Sequence, residues 1–200
     1  MTNTCARTRW PSISAHVVPQ STWACWPGAV SNRLLAAASR PDATLSLTLL
    51  EPAAFALSRH HQAARTLVAE VRSLWDQEVP DEEWVIHFLQ AVGSDPDALS
   101  PELIAAAVSL VPLLRHGRPF WELELPLAML ASATFPKLVV SGGHSAGFDA
   151  ICDDLAQRIG ASRITVSGAG HEVQFTGQPL NDALLALWRT ASSIRGTRVA

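Results

Sequence analysis

The stretch that decides the fold is KLVVSGGHSAGFDAICDDLAQRIGASRITVSGAGHEVQFTGQPLNDALLALW, Lys137–Trp188. It opens with a short apolar run that ends in a Gly-Gly turn, the form of a buried strand. Phe148–Ile159 follows with Phe148, Ile151, Leu155 and Ile159 on one helical face, and Gly160 closes it. Arg163–Val166 is a second buried strand. It runs into Gly168-Ala169-Gly170-His171, and a final helix is expected from Pro179 to about Ser192. Strand, helix, strand and helix at this spacing predict right-handed parallel β-α-β units, and so an α/β fold.

Earlier in the chain, Ala29–Arg40 is rich in Ala and Leu and suits a helix that ends at Pro41 and Asp42. Leu45–Leu50 reads as another buried strand, stopped by Pro52. From Phe55 to about Leu130 only helical patterns occur. One covers Ser58–Gln77. A second runs to Gln90, with Asp81 as its expected cap. A third runs from Ser100 to Leu114, with Pro101 at the first helical position. This block reads as an insertion on one side of the sheet. Residues 1–28 hold three of the seven tryptophans and three prolines, and read as irregular except for a strand-like Ile13–Val18.

The chain has 200 residues, 48% of them apolar, 16% charged, with a formal net charge of -3. That supports a real core and offers no basic field for a phosphate backbone, so nucleic acid is excluded as a partner. Cys5, Cys25 and Cys152 are odd in number and widely spaced, with no C-x-x-C, which argues against a disulfide framework or a cysteine zinc site. The longest apolar stretch, Leu103–Leu114, is short of the roughly 20 residues a spanning helix needs. No signal-peptide order opens the sequence, and a cytoplasmic location without membrane association is expected.

Two residues stand where chemistry collects in open α/β sheets, beyond the carboxyl ends of strands. His171 lies in the Gly-rich turn after the Arg163–Val166 strand and is a candidate general base. Glu51 directly follows Leu45–Leu50, and Pro52 restrains the chain behind it; its carboxylate could orient a histidine from a neighbouring strand. On the motif alone His171 reads equally as a loop histidine that caps the last helix, and Glu51 reads first as an ordinary polar residue at a strand end. Other patterns fail. Gly168-Ala169-Gly170 has Val173 at the sixth position and no helix opens there, so it is no dinucleotide fingerprint. His60 and His61 are adjacent and point apart on a helix. His171-Glu172 lacks the second histidine of a zinc protease. Asp149, Asp153 and Asp154 read as a solvated, dipole-favoured set in the first half of a helix. Trp84, Phe88, Phe120 and Trp121 read as core before pocket lining.

RLLAAASRPDATLSLTLLEPAAF (Arg33–Phe55), together with the Lys137–Trp188 stretch, resembles the C-terminal part of the α/β-hydrolase family. The resemblance covers about residues 29–192 and implies an α/β-hydrolase-like parallel sheet, with helices on both faces and an inserted helical cap. It divides the chain into an irregular segment 1–28, a core of 29–54 and 131–195, and a cap of 55–130. It implies hydrolysis of a small apolar ester or C–C bond by a nucleophile–His–acid triad, with no metal or organic cofactor. His171 matches the catalytic histidine. The usual acid position after KLVV falls near Ser145, which cannot serve; some members resemble this chain in placing the acid in a Leu-Glu-Pro context, where Glu51 stands.

The nucleophile elbow departs from the family pattern. Cys25-Trp26-Pro27-Gly28-Ala29 is not G-x-S-x-G, and the strained elbow turn leaves no room for side chains. A displaced version at Val17–Ser21 makes Ser21 the candidate nucleophile, without the two glycines. The strands expected before the elbow are also missing. The core therefore reads as N-terminally truncated, whether as a degenerate homologue or as unrelated sequence joined at 1–28. Ester turnover no faster than that of a His171→Ala control is expected. The alternative is a non-catalytic binding or interaction remnant of the fold. With its earlier strands absent, Leu45–Leu50 is expected near an exposed sheet edge through which the chain forms a homodimer.

Overall fold

The computed structural model describes residues 16–17 and 27–199, with side chains from Arg33 to Ile194. The elements are β1 (His16–Val17), α1 (Pro27–Ser39), β2 (Ser46–Leu50), α2 (Gln62–Ser73), α3 (Asp81–Ala91), α4 (Pro101–His116), α5 (Leu127–Ser132), β3 (Lys137–Ser141), α6 (Ala146–Ile159), β4 (Ser162–Thr165) and α7 (Gln178–Val199). Short 3₁₀ turns stand at Phe55–His60, Pro96–Ala98, Phe120–Glu122 and Val173–Phe175. The sheet is wholly parallel in the order β1-β2-β3-β4. The protein is therefore of mixed α/β class, as the strand–helix alternation predicts.

The period of two along the strands explains why both faces are covered. Leu47, Leu49 and Val139 face a large core shared with α1, α2, α6 and the helical block. Leu50, Leu138 and Val140 face the other way and pack on Leu180, Leu184 and Leu187 of α7. The block from Phe55 to Leu130 shares the first core instead of standing apart. Phe55 packs on Phe148 of α6 at 5.8 Å between ring centroids. Trp75, Trp84, Phe88, Phe120 and Trp121 interlock as edge-to-face and stacked rings within that core. The four aromatic residues weighed as pocket lining are therefore core.

Local signals explain several boundaries. Ser100 caps α4 by accepting the Leu103 amide N–H at 3.3 Å, with Pro101 first in the helix. Gly160 ends α6 in the left-handed conformation, φ 64°. The helix expected over Ser58–Gln77 is instead two pieces, because the 3₁₀ turn ends at His60 and His61 is extended, φ -134°. Asp81 is not a cap: Pro80 occupies that place, and Asp81 lies in the first turn of α3, where its charge still suits the helix dipole.

The exposed edge expected at Leu45–Leu50 is not found. β2 lies between β1 and β3, and all five of its residues are buried. The longer strand with a single neighbour among the described residues is β4, which carries the exposed Ser162 and Thr165. Among the described residues no helix is long and apolar enough to cross a membrane.

Candidate functional site

The carboxyl ends of β2, β3 and β4 converge because parallel strands in register finish at the same level. Leu50 lies opposite Val140, and Ser141 opposite Thr165. Glu51 leaves the end of β2 with a positive φ of 42°, the only non-glycine residue so placed among those described. A positive φ at a residue with a Cβ costs about 1–3 kcal/mol and persists where surrounding contacts demand it. Those contacts are visible. The Glu51 amide donates to the Val140 carbonyl at 2.9 Å, and its Oε1 accepts the amide N–H of Gly142. The side chain is 1% exposed.

His171 arrives from beyond β4 on the turn Val166–Gly170. Gly168 and Gly170 adopt φ of 80° and 65°, conformations that admit glycine and let the chain reverse sharply. Its Nδ1 faces Glu51 Oε2 at 3.4 Å, with the ring 3% exposed. A carboxylate only accepts, so the hydrogen in this contact belongs to Nδ1 and Nε2 keeps its lone pair. An imidazole held in that tautomer can take a proton at Nε2. Phe148 closes the apolar side of the ring at 5.0 Å between centroids. The two residues singled out from the sequence are thus brought together, 120 positions apart in the chain. Ser21 lies outside the described residues.

His144 received no role from the sequence, where it is one residue of a Gly-rich turn. In the fold it is the third member of the cluster. Its Nδ1 lies 3.8 Å from Glu51 Oε1, and its ring stands at right-angled contact with that of His171, 5.8 Å between centroids. Its Nε2 donates to the Val92 carbonyl at 3.1 Å. The helical block holds this face of the site at a second point, where Ser94 Oγ donates to Glu172 Oε1. The turn Val92–Gly93–Ser94 at the end of α3 therefore braces both the loop after β3 and the loop that carries His171. Gly93 has no room for a side chain: a Cβ there would sit 2.3 Å from His144 Cδ2. The available signal was a histidine three residues past a strand end, which is weak alone.

Of the acids on α6 only Asp153 is exposed to solvent, and all three are engaged by arginines. Asp149 accepts from Ser141 Oγ and from Arg163 Nη2 at 3.2 Å, and Asp153 from Arg163 Nε at 2.8 Å. Asp154 is buried and pairs with Arg158 at 2.8 Å. This network clamps the end of β3 to β4 and α6 next to the site. Below it, burial pushes the Cys152 thiol well above its ordinary value, and the negative charge of Glu51 pushes it further. Ser145 does not act as an acid; it caps α6 by accepting the Phe148 amide at 3.4 Å. Comparison of the chain with protein-family models, curated proteins and solved structures finds no match.

Proposed function

We propose that Glu51 and His171 are the acid and base of a nucleophile–His–acid hydrolase of the α/β-hydrolase kind, acting on a small apolar ester or C–C bond. The observation that carries this reading is the 3.4 Å contact from His171 Nδ1 to Glu51 Oε2 at adjacent parallel strand ends. It leaves Nε2 as the proton acceptor. In such a reaction a serine hydroxyl gives its proton to Nε2 while its oxygen bonds the substrate carbonyl carbon. Glu51 stabilises the imidazolium that forms, and the proton then passes to the leaving group. Ser21 is the nucleophile in this reading. Its surroundings depart from the glycine-flanked elbow, so the acyl-transfer step is the one slowed.

Two measurements test it. The Nδ1 proton of His171 should give a downfield NMR signal that disappears in Glu51→Gln; a spectrum indifferent to that change removes the reading. Hydrolysis of short p-nitrophenyl esters is then compared with His171→Ala. Rates equal to the control are expected and place the chain as the non-catalytic form of the fold with its acid–base pair retained. Turnover abolished by Ser21→Ala assigns Ser21 the attack.

A further inference from the structure

We propose that Glu51, His144 and His171 form a binding site for a divalent zinc-class cation. One ligand atom from each residue lies within 4.8 Å of the others. The two carboxylate oxygens of Glu51 each face one ring, Oε1 at 3.8 Å from His144 Nδ1 and Oε2 at 3.4 Å from His171 Nδ1, separations near those between the ligand atoms of a zinc site. Bonds of about 2.0–2.1 Å place tetrahedral ligand atoms about 3.4 Å apart. Two imidazoles and one carboxylate suit zinc and leave a fourth position open.

The hydrogen bonds around the cluster orient it for a cation. A carbonyl only accepts, so His144 donates Nε2–H to Val92 and points its Nδ1 toward the Glu51 carboxylate, where that nitrogen can serve as a ligand atom. A ligating histidine whose other N–H bonds a backbone carbonyl is the usual support of a metal ligand, and Gly142 N–H supports Glu51 in the same way. The His144 side chain is 17% exposed, against 1% for Glu51 and 3% for His171, so it gives the ion its route from solvent and is the ligand able to adjust.

The site stands on these three residues and does not depend on the hydrolytic reading. One consequence does rest on that reading. Zinc on His171 Nδ1 moves that hydrogen to Nε2, with no net proton released, and so removes the proton acceptor. Bound zinc and hydrolysis with His171 as the base exclude each other.

The test is calorimetric titration of the metal-free full chain with zinc chloride. One ion per chain with a micromolar or tighter Kd is expected. His144→Ala, with an unchanged far-ultraviolet circular dichroism spectrum, should bind at least tenfold more weakly. The double variant His60→Ala/His61→Ala should bind as the parent does. Absence of binding, or binding equal in His144→Ala, overturns the proposal, as does loss of binding in the His60/His61 variant. A second readout covers misfolding of His144→Ala. In the unaltered chain, zinc should shift the carbon-bound imidazole protons of His144 and His171; shifts confined to other histidines overturn the site.

Discussion

Gly142 and Gly170 touch backbone to backbone: a Cβ built on Gly142 would stand 1.7 Å from the Gly170 carbonyl oxygen. The contact joins the turn after β3, which supplies an N–H to Glu51, to the turn that carries His171. The requirement for glycine at 142 is one of space, because the obstacle is main chain and cannot swing aside. Gly142→Ala should therefore force the two loops apart. A loss of about 3 kcal/mol is expected, the upper end for inserting one methyl group into a packed site. Urea denaturation followed by tryptophan fluorescence measures it, and a midpoint equal to the parent's would show that the loops are not held in contact.

The helical block depends on Trp84. Its ring is fully buried, stacks on Phe88 at 5.3 Å and meets Trp75 edge-on at 5.2 Å, and its Nε1 donates to the Leu74 carbonyl at 2.8 Å. Trp84→Ala removes the largest side chain of that core and leaves the Leu74 carbonyl without this donor. The expected cost is about 3–5 kcal/mol, a large share of an ordinary domain's stability. Because the block shares its core with α6, unfolding should remain one transition and move as a whole to lower urea. Two separated transitions would show instead that the block melts by itself.

The buried thiol gives stability a pH dependence of known sign. Cys152 keeps its proton in the folded chain to higher pH than it does unfolded. An unfolded thiol loses its proton near pH 8.5, so above that the native state binds more protons and stability falls as pH rises. The urea midpoint should drop between about pH 8.5 and pH 10, and the drop should be smaller in Cys152→Ala. Equal slopes would assign the effect to other groups. Thiol labelling mapped by mass spectrometry gives a second view: Cys152 should resist reagent at pH 8 until denaturant is added.

With β2 buried, assembly through that strand is not available. Among the described residues the edges are the two-residue β1 and β4, and β4 is four residues long. It carries the exposed polar groups of Ser162 and Thr165, and the Arg163 side chain is engaged with Asp149 and Asp153. Short, polar and charged edges resist pairing with another chain. Light scattering at micromolar concentration should therefore report a 21.5 kDa monomer. A mass that doubles with concentration would direct attention to β4 and to Leu35, which is exposed on α1.

Much of the fold could be read locally. Apolar runs ending at Pro52, at Gly142-Gly143 and at Gly168 place β2, β3 and β4 to within a residue or two, because strand burial and turn chemistry are both written in neighbouring residues. Ser100-Pro101 and Gly160 mark helix ends for the same reason: a cap satisfies its own helix. What failed locally depended on partners distant in sequence. The pattern over Ser58–Gln77 reads as one helix, yet His61 is extended and the 3₁₀ turn ahead of it starts at Phe55, which packs on Phe148 and Phe120. Asp154 looks like a solvated helix acid until α6 is laid on the sheet. The site divides in the same way. Glu51 and His171 stand at strand ends, a position that periodicity reveals and that a parallel sheet converts into proximity. His144 has no such signal. Its meaning comes from the Val92 carbonyl and the Glu51 carboxylate, 52 and 93 residues earlier in the chain. Sequence alone determined where strands end, since that follows from local burial and turns. Only the tertiary structure decided which groups meet there, since hydrogen bonds between loops depend on how the strands lie side by side.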